Sequence, residues 1–237
     1  MPEIFASTND GNQSSALSAT WNAAHDHVGQ SNPITTHTAY NFSVGANYIS
    51  FRNQYFIRRS FFDFDTSGIS VTPASAELSL YGFTNGGADL FVVKADFSDG
   101  SIGNGDFDSI VGWSSGADNS SNVTKYSSEV TSCSTGAYNN ITLNSTALSD
   151  MANNDTLKIC LIEADFDLTN TEPSDTTARE TGMSFADDGS GNIRDPKIDY
   201  TVASAGYGHD VVGVAAANIG KIKGVATANV GKVLGVD

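Results

Sequence analysis

Residues 55–65 read YFIRRSFFDFD, and this aromatic stretch decides the fold. In an extended chain, alternate side chains point to opposite faces. One face would carry Tyr55, Ile57, Arg59, Phe61 and Asp63, and the other Phe56, Arg58, Ser60, Phe62 and Phe64. Large apolar groups on both faces are typical of an inner strand in a layered β protein. The stretch therefore predicts a central strand that is covered on both sides.

Shorter strands are predicted before and after this stretch, where apolar and polar residues alternate between turn-forming residues. They span residues 2–5, 48–51, 76–83, 89–96, 126–130, 140–143, 156–163, 181–186 and 197–202. Residues 145–151 predict a single helical turn. Roughly eight to ten short strands with almost no helical periodicity predict an all-β fold, a jelly-roll β-sandwich.

The connections are predicted from local signals. NDGN at residues 9–12 is a strong turn signal. NGG at residues 85–87 is a hairpin signal, and it would join strand 76–83 directly to strand 89–96. Residues 98–122 are rich in Gly, Ser, Asp and Asn and are expected to form a long loop.

The net charge of the 237-residue chain is −15, and it is unevenly distributed. Residues 1–206 contain 9 Lys/Arg and 25 Asp/Glu, which gives −16, whereas residues 207–237 contain 3 and 2, which gives +1. The acidic body is expected to repel nucleic acid and anionic membranes, so neither is a predicted partner. Cys133 and Cys160 are too few for a disulfide framework, and their pairing stays open.

The composition changes near the end of the chain, which predicts three parts. Residues 1–204 form the sandwich, 205–210 a hinge, and 211–237 a tail with an internal repeat. GVAAANIGKIK at 213–223 and GVATANVGKVL at 224–234 are identical at seven of eleven positions. Two glycines per repeat and several β-branched residues favour short strands broken at the glycines over a helix with an eleven-residue period.

Each repeat is too small to bury its own apolar face, so the tail needs a partner surface for oligomerisation or anchoring. The residues expected to supply this contact are Val214, Ile219, Ile222, Val225, Val230, Val233 and Val236. The partner is expected to be another copy of the chain, in a homo-oligomer for which a trimer is one arrangement, or a neighbouring protein of the same assembly. A disordered tail is the alternative.

Two motifs suggest chemistry, and both lack the context that the chemistry needs. GWSSG at residues 112–116 matches the nucleophile-elbow string, but no amphipathic helix is predicted after it. His25 and His27 would lie on one face of a strand at a spacing that can bind zinc, without an evident third ligand. The sequence therefore predicts no enzyme and no catalytic residue.

Acidic clusters in turns are candidates for calcium, which takes oxygen ligands from flexible loops. The candidate ligands are Asn104, Asp106, Asp108, Asp187 and Asp188. The first three lack the glycine and the bidentate acid of an EF-hand loop. Plain solvated turns are the alternative.

A glycan site needs aromatic rings with exposed faces beside polar groups. Trp113, Tyr126 and Tyr138 are the candidates, because they lie in predicted loops or short strands. Trp21 is expected in the core instead.

Five segments follow one another in the order of a known family. They are RRSFFDFDTSGI (58–69), SAELSLYGF (75–83), DFDSIVGW (106–113), NNITLNSTALSDM (139–151) and SFADDGSGNIRDPKIDYTV (184–202). Across residues 1–203 the chain resembles the DNRLRE, or TGF-β-propeptide-like, jelly-roll family, which is related in fold to carbohydrate-binding modules. Members occur as accessory domains of secreted bacterial enzymes and in bacteriophage structural proteins. The resemblance implies a jelly roll and adds host glycans as a further partner. No cofactor is predicted, and a structural calcium ion is the alternative that the resemblance adds.

The two ends of the chain favour the phage setting. The tail is similar to short Gly-Val-Ala/Ile-Lys-Ile repeats at the ends of phage virion proteins. The N-terminus, MPEIFASTNDGNQ, has neither the basic nor the apolar region of a secretory signal, and no catalytic domain is attached. We therefore expect a non-enzymatic bacteriophage virion protein, made in the host cytoplasm, that acts as a decoration or fibre component of the head or tail. The alternative is a carbohydrate-binding adhesion module that recognises host-surface glycans.

Overall fold

The computed structural model describes residues 1–27, 42–98, 102–103, 105–174, 179–184, 186 and 193–202, together with 221–222 and 225–226 in the tail. Contacts divide the chain into two units, Met1–Thr201 and Val202–Asp237. The first unit is an all-β sandwich, as predicted. The predicted hinge at 205–210 lies outside the described residues.

The described part of the first unit contains ten strands, two short helices and one turn of 3-10 helix at Asp106–Asp108. The strands are β1 Glu3–Phe5, β2 Gly11–Ser14, β3 Phe42–Ile49, β4 Gln54–Asp65, β5 Ser75–Asn85, β6 Leu90–Lys94, β7 Tyr138–Thr142, β8 Thr156–Glu163, β9 Arg179–Met183 and β10 Lys197–Thr201. The helices are α1 Trp21–His25 and α2 Ser145–Asn153. Among the described residues, neither helix has the length and apolar run that crossing a bilayer requires.

Strand β5 belongs to both sheets of the sandwich. Its residues 75–81 pair with β10 and β7, and β1 extends this first sheet beyond β10. After a β-bulge between Gly82 and Thr84, its last residues pair with β9 instead. From β9 the second sheet runs through β3, β4 and β8 to β6, and β2 also pairs with β4. All these pairings are antiparallel.

Strand β4 is the predicted central strand, and it pairs with β2, β3 and β8. Phe62 and Phe64 belong to one buried cluster, whereas Ile57 and Phe61 belong to two others. Arg59, between Ile57 and Phe61 on the same face, is also fully buried. The prediction of a strand covered on both sides is therefore confirmed.

The main core lies between the two sheets. Strand β4 contributes Phe62 and Phe64, strand β5 contributes Leu78 and Leu80, and helix α2 adds Met151. All five side chains are completely buried. Burial of one such side chain is worth about 1.5–3 kcal/mol, so this cluster supplies much of the driving force for folding.

The other face of the second sheet is covered by loop segments. Phe61 of β4 and Val93 of β6 pack there with Phe97 and Ile110, which come from the long connection after β6. The predicted long loop is thus present, and its apolar side chains form a layer over the sheet. This explains how β4 can carry large apolar groups on both faces.

Strand β2 occupies part of the segment for which a turn was predicted. The turn lies earlier, at residues 8–9, and Gly11–Ser14 is a strand. The Asn12 side chain is 2% exposed, and its Nδ2 donates to the carbonyl of Ser43 (2.5 Å). Asn12 can lie in this buried strand because its side chain finds a partner on a nearby strand.

The predicted hairpin between strands 76–83 and 89–96 is wrong. Strand β6 pairs with β8, and the end of β5 pairs with β9. The Gly86 N–H donates to the carbonyl of Glu180 in β9 (2.8 Å), which leads the chain away from a tight turn. A partner distant in sequence has displaced the local pairing that the NGG signal favours.

Gly82 marks the place where β5 passes from one sheet to the other. A Cβ atom there would lie 2.0 Å from the carbonyl oxygen of Ser134, whereas a Cβ at Gly68 would meet nothing within 4 Å. We expect Gly82→Ala to lower the free energy of unfolding by about 1–3 kcal/mol, because the backbone must shift. Gly68→Ala, the control, should change it by less than about 0.5 kcal/mol. Urea denaturation followed by circular dichroism measures both, and equal effects would contradict the packing at Gly82.

Candidate functional site

A fully buried arginine, Arg59 of β4, lies between the second sheet and the loops that cover it. Nε and Nη2 of Arg59 donate to the two carboxylate oxygens of Asp167 (2.9 and 2.7 Å), and Asp167 is itself fully buried. Nη1 donates to Asp108 Oδ1 (2.7 Å) and to the carbonyl of Phe107 (2.8 Å). The bidentate geometry matches the planar guanidinium to the carboxylate, so the buried charge is compensated.

Two aromatic rings complete the environment of this guanidinium. The guanidinium carbon of Arg59 lies 3.9 Å from the ring centroid of Phe107 and 3.9 Å from that of Trp113. Stacking on aromatic faces is favourable for arginine, especially where water is excluded. The aromatic residues of the DFDSIVGW segment therefore serve to hold Arg59.

The ion pairs with Asp167 and Asp108 favour the charged form of Arg59. Burial lowers the pKa of Arg59, but the charge and hydrogen bonds of Asp167, with a contribution from Asp108, more than compensate, and the pKa is raised overall. At Asp108, burial raises the pKa, and the opposing effect of Arg59 does not cancel the rise.

The predicted strand around His25 and His27 is wrong, because His25 ends helix α1. His25 is fully buried, with Nδ1 2.8 Å from Asp26 Oδ1 and Nε2 2.9 Å from the carbonyl oxygen of Asp167. Its ring centroid is also 5.1 Å from that of Trp113. The histidine therefore packs against the arginine cluster, where its two nitrogens already face oxygens. Trp21 is 4% exposed, which confirms its expected burial.

Glu163, the last residue of β8, shapes the turn that carries Asp167. Its Oε1 accepts from the N–H of Asp165 (3.1 Å), and its Oε2 accepts from those of Phe166 (2.8 Å) and Asp167 (3.0 Å). The side chain is fully buried. Burial raises the pKa of Glu163 to about 7, although these hydrogen bonds favour the ionised form.

Of the five predicted calcium ligands, the structure describes two, Asp106 and Asp108. Asn104, Asp187 and Asp188 are outside the described residues. Asp106 accepts from the N–H of Gly103 (2.6 Å) and the hydroxyl of Ser109 (3.0 Å), while Asp108 pairs with Arg59. The two described carboxylates thus have protein partners, and calcium at this loop stays a prediction.

Another group of carboxylates is brought together by the fold. Asp89, Glu129 and Asp165 offer oxygen atoms within 4.8 Å of one another, and Asp165 also pairs with Arg179 at 3.3 Å. Exposed acidic groups often approach in this way without a cation. Sequence spacing gives no sign of the group, because its members lie on separate elements.

The three predicted glycan-binding aromatics do not form one surface. Tyr126 is 1% exposed in the main core, and its hydroxyl donates to Asp150 Oδ2 (2.5 Å), so the prediction for this residue is wrong. Trp113 is half-buried against Arg59. Tyr138 is half-buried on β7, where its ring meets Tyr81 edge-on at 5.5 Å.

The GWSSG string lies in turns, as expected of a loop. Gly112 and Gly116 have φ angles of 89° and 74°, and the Ser114 N–H donates to Asn119 Oδ1 (2.9 Å). A Cβ at Gly112 would lie 2.2 Å from the carbonyl oxygen of Asn122. The glycines of the string are thus accounted for by backbone geometry.

The tail is described at four residues only. Lys221–Ile222 (β11) pairs antiparallel with Val225–Ala226 (β12), so that Ile222 faces Val225. These residues form short strands on either side of Gly224, as the glycine positions predict. The other predicted contact residues lie outside the described residues, namely Val214, Ile219, Val230, Val233 and Val236. Outside the tail, Cys133 and Cys160, whose pairing the sequence left open, are free, buried thiols.

An open pocket beside the hairpin from β3 to β4 was not predicted. Its volume is about 380 Å³, and it is lined by Tyr48, Phe51, Phe56, Arg58, Glu180 and neighbouring residues. Phe51 is 82% exposed. The segment had been interpreted as a strand that runs to Phe51, whereas β3 ends at Ile49 and leaves Phe51 in the turn.

The hairpin holds its turn in a defined conformation. Asn53 adopts a φ of 51°, which asparagine tolerates better than most residues, and its Oδ1 accepts from the Tyr48 hydroxyl (2.7 Å). The rings of Tyr48 and Tyr55 lie 5.0 Å apart on adjacent strands. An exposed aromatic residue is thereby presented from an ordered turn.

The polar side of the pocket is a neutral pair. Arg58 on β4 and Glu180 on β9 both lie beside Gly45 of β3, which has no side chain to separate them, and they form an ion pair. The guanidinium carbon of Arg58 lies 4.6 Å from the Phe56 ring centroid. Its Nε has no hydrogen-bond partner among the residues that the structure describes.

Comparison with known proteins adds no information about the site. No family model and no curated protein matches the chain. The resemblance to the DNRLRE family therefore remains a prediction from the sequence.

The two adjacent arginines of β4 allow a matched test of the buried network. We expect Arg59→Ala to lower the free energy of unfolding by about 3–5 kcal/mol, because Asp167 would be left as an unpaired buried charge. Arg58→Ala should cost about 1 kcal/mol or less, because its ion pair is partly exposed. Arg59→Lys, which keeps the charge and loses the planar fork, should fall between them. Urea denaturation measures all three, and similar losses at positions 58 and 59 would contradict the assignment.

The raised pKa of Glu163 predicts a pH dependence of stability. Since the folded-state pKa of about 7 exceeds the ordinary 4.5, the folded protein binds this proton more tightly than the unfolded chain. The group therefore destabilises the fold above pH 7, by about 3 kcal/mol, and this penalty is lost as the pH falls towards 4.5. The difference between the melting temperatures of the wild type and Glu163→Gln, measured from pH 4 to 8, should change across this window. A constant difference would refute the raised pKa.

Proposed function

We propose that this chain is a non-enzymatic structural protein of a bacteriophage virion, a decoration or fibre component of the head or tail. The sandwich is the displayed part, and the C-terminal repeats attach it to the particle or to other copies. The observation that carries the proposal is the aliphatic eleven-residue repeat, whose described residues form short paired strands.

The attachment role follows from the composition of the repeats. Ile222 and Val225, both aliphatic, are register partners in the antiparallel pairing of β11 with β12. A two-stranded unit of this size has too little surface to be stable by itself in water. A partner that covers the aliphatic face would stabilise the strands, and repetition of the contact in several copies would add avidity.

The sandwich has the properties that a displayed domain needs. Its second sheet is covered on both faces, and its largest buried cluster lies between the sheets. Residues 1–206 carry a net charge of −16, from 9 Lys/Arg and 25 Asp/Glu. Mutual repulsion between such acidic bodies keeps them apart at high local density.

Deletion of residues 207–237 tests the attachment role. We expect the remaining 1–206 chain to be a folded monomer that no longer joins the particle, because the first compact unit ends at Thr201. Sedimentation velocity and incorporation into particles measure the two effects. In the full chain, the pair Ile222→Ser and Val225→Ser should weaken association, whereas Ala226→Ser, at the register position opposite Lys221, should not. An unchanged oligomer after the deletion would refute the proposal.

A carbohydrate-binding adhesion module is the second candidate function. The specific observation in its favour is the aromatic pocket at the β3–β4 hairpin, where the exposed Phe51 and the half-buried Tyr48 and Phe56 lie beside polar groups. The two functions are compatible, because a displayed virion domain can also contact glycans of the host surface.

A further inference from the structure

We infer that the pocket lined by Tyr48, Phe51, Phe56, Arg58 and Glu180 binds a pyranose ring of a neutral glycan. This inference rests on the second candidate function and gives it a location. It replaces the three aromatic residues that the sequence suggested, of which Tyr126 is buried and the other two are half-buried.

The aromatic residues supply the apolar contact. The C–H groups on one face of a pyranose ring pack on a flat aromatic ring, which must be accessible and held in place. Phe51 is 82% exposed, and it projects from a turn held by the hydrogen bond between Tyr48 and Asn53. Phe56 lies on the adjoining strand under the Arg58 guanidinium. The pocket thus offers two rings, Phe51 and Phe56, that belong to none of the buried clusters.

The polar residues supply the hydrogen bonds that a sugar needs. Arg58 offers N–H donors in a planar fork, and Glu180 offers carboxylate acceptors. The side chains of Arg58 and Glu180 are 29% and 27% exposed and both line the pocket, so a ligand hydroxyl can reach the pair. A vicinal pair of hydroxyl groups both donates and accepts, which suits this combination.

Charge and size narrow the class of ligand. Arg58 and Glu180 compensate each other, and the rest of the chain is strongly acidic, so an anionic ligand such as a phosphate or a nucleic acid is disfavoured. The volume of about 380 Å³ lies at the lower end of the range for small-molecule sites, which fits one or two sugar rings.

The experiment is a titration of the full-length, isotope-labelled chain with four neutral disaccharides: lactose, cellobiose, mannobiose and N,N′-diacetylchitobiose. We expect at least one of them to shift the backbone amide signals of residues 47–58 and of Glu180. Phe51→Ala should weaken that binding about tenfold or more, which corresponds to about 1.4 kcal/mol. Arg58→Lys should also weaken it, because lysine keeps the charge without the fork.

Phe83→Ala is the matched control, because Phe83 is an exposed phenylalanine on β5 that does not line the pocket. It should leave the affinity unchanged. Shifts confined to another surface would overturn the location while leaving the adhesion function standing. The absence of any shift with all four sugars would overturn both, without bearing on the deletion of the tail. A loss of self-association in Phe51→Ala, with sugar binding unaffected, would identify the pocket as a contact between copies and would also overturn the inference.

Discussion

The fold depends on a guanidinium group that is completely removed from water. Desolvation of a charge costs several kcal/mol, and the cost is offset only where counter-charges and hydrogen bonds are placed with good geometry. Arg59 obtains these from Asp167, Asp108 and the carbonyl of Phe107, and it obtains aromatic contact from Phe107 and Trp113. Because the partners come from segments far apart in the chain, a single side chain fixes the long connection after β6 and the turn after β8 against the second sheet.

The partners that Arg59 needs also determine which segments cover the second sheet. The second sheet is covered on its outer face by loops that carry Phe97, Phe107 and Ile110, and Glu163 fixes the turn that brings Asp167 into place. His25 and Trp113, which the sequence suggested as candidates for a zinc site and a glycan site, pack within this cover instead. The most exposed aromatic residue of the described part of the chain, Phe51, lies elsewhere, in the turn between β3 and β4.

The sequence predicted the elements whose signal is local. The strand at 156–163 is β8 with the same limits, and the both-sided burial of residues 55–65 follows from alternation alone. The prediction failed where a distant strand competed with a local signal, as at NGG of 85–87, because β9 and β8 take the edges that a hairpin would have used. The pocket was missed for a similar reason, since Arg58 and Glu180 are 122 residues apart and meet only across Gly45.

The sequence by itself determined the all-β class, the central strand and the division between an acidic body and a repetitive aliphatic tail, because composition and period-two alternation act within a few residues. A buried arginine needs a carboxylate partner, but alternation does not tell whether Arg58 or Arg59 is the buried one. Only the tertiary structure decided that this carboxylate is Asp167, that Trp113 serves Arg59, and that Phe51 remains exposed. Each of these outcomes is set by which distant segments pack together, and the free energy of that packing cannot be read from any one segment.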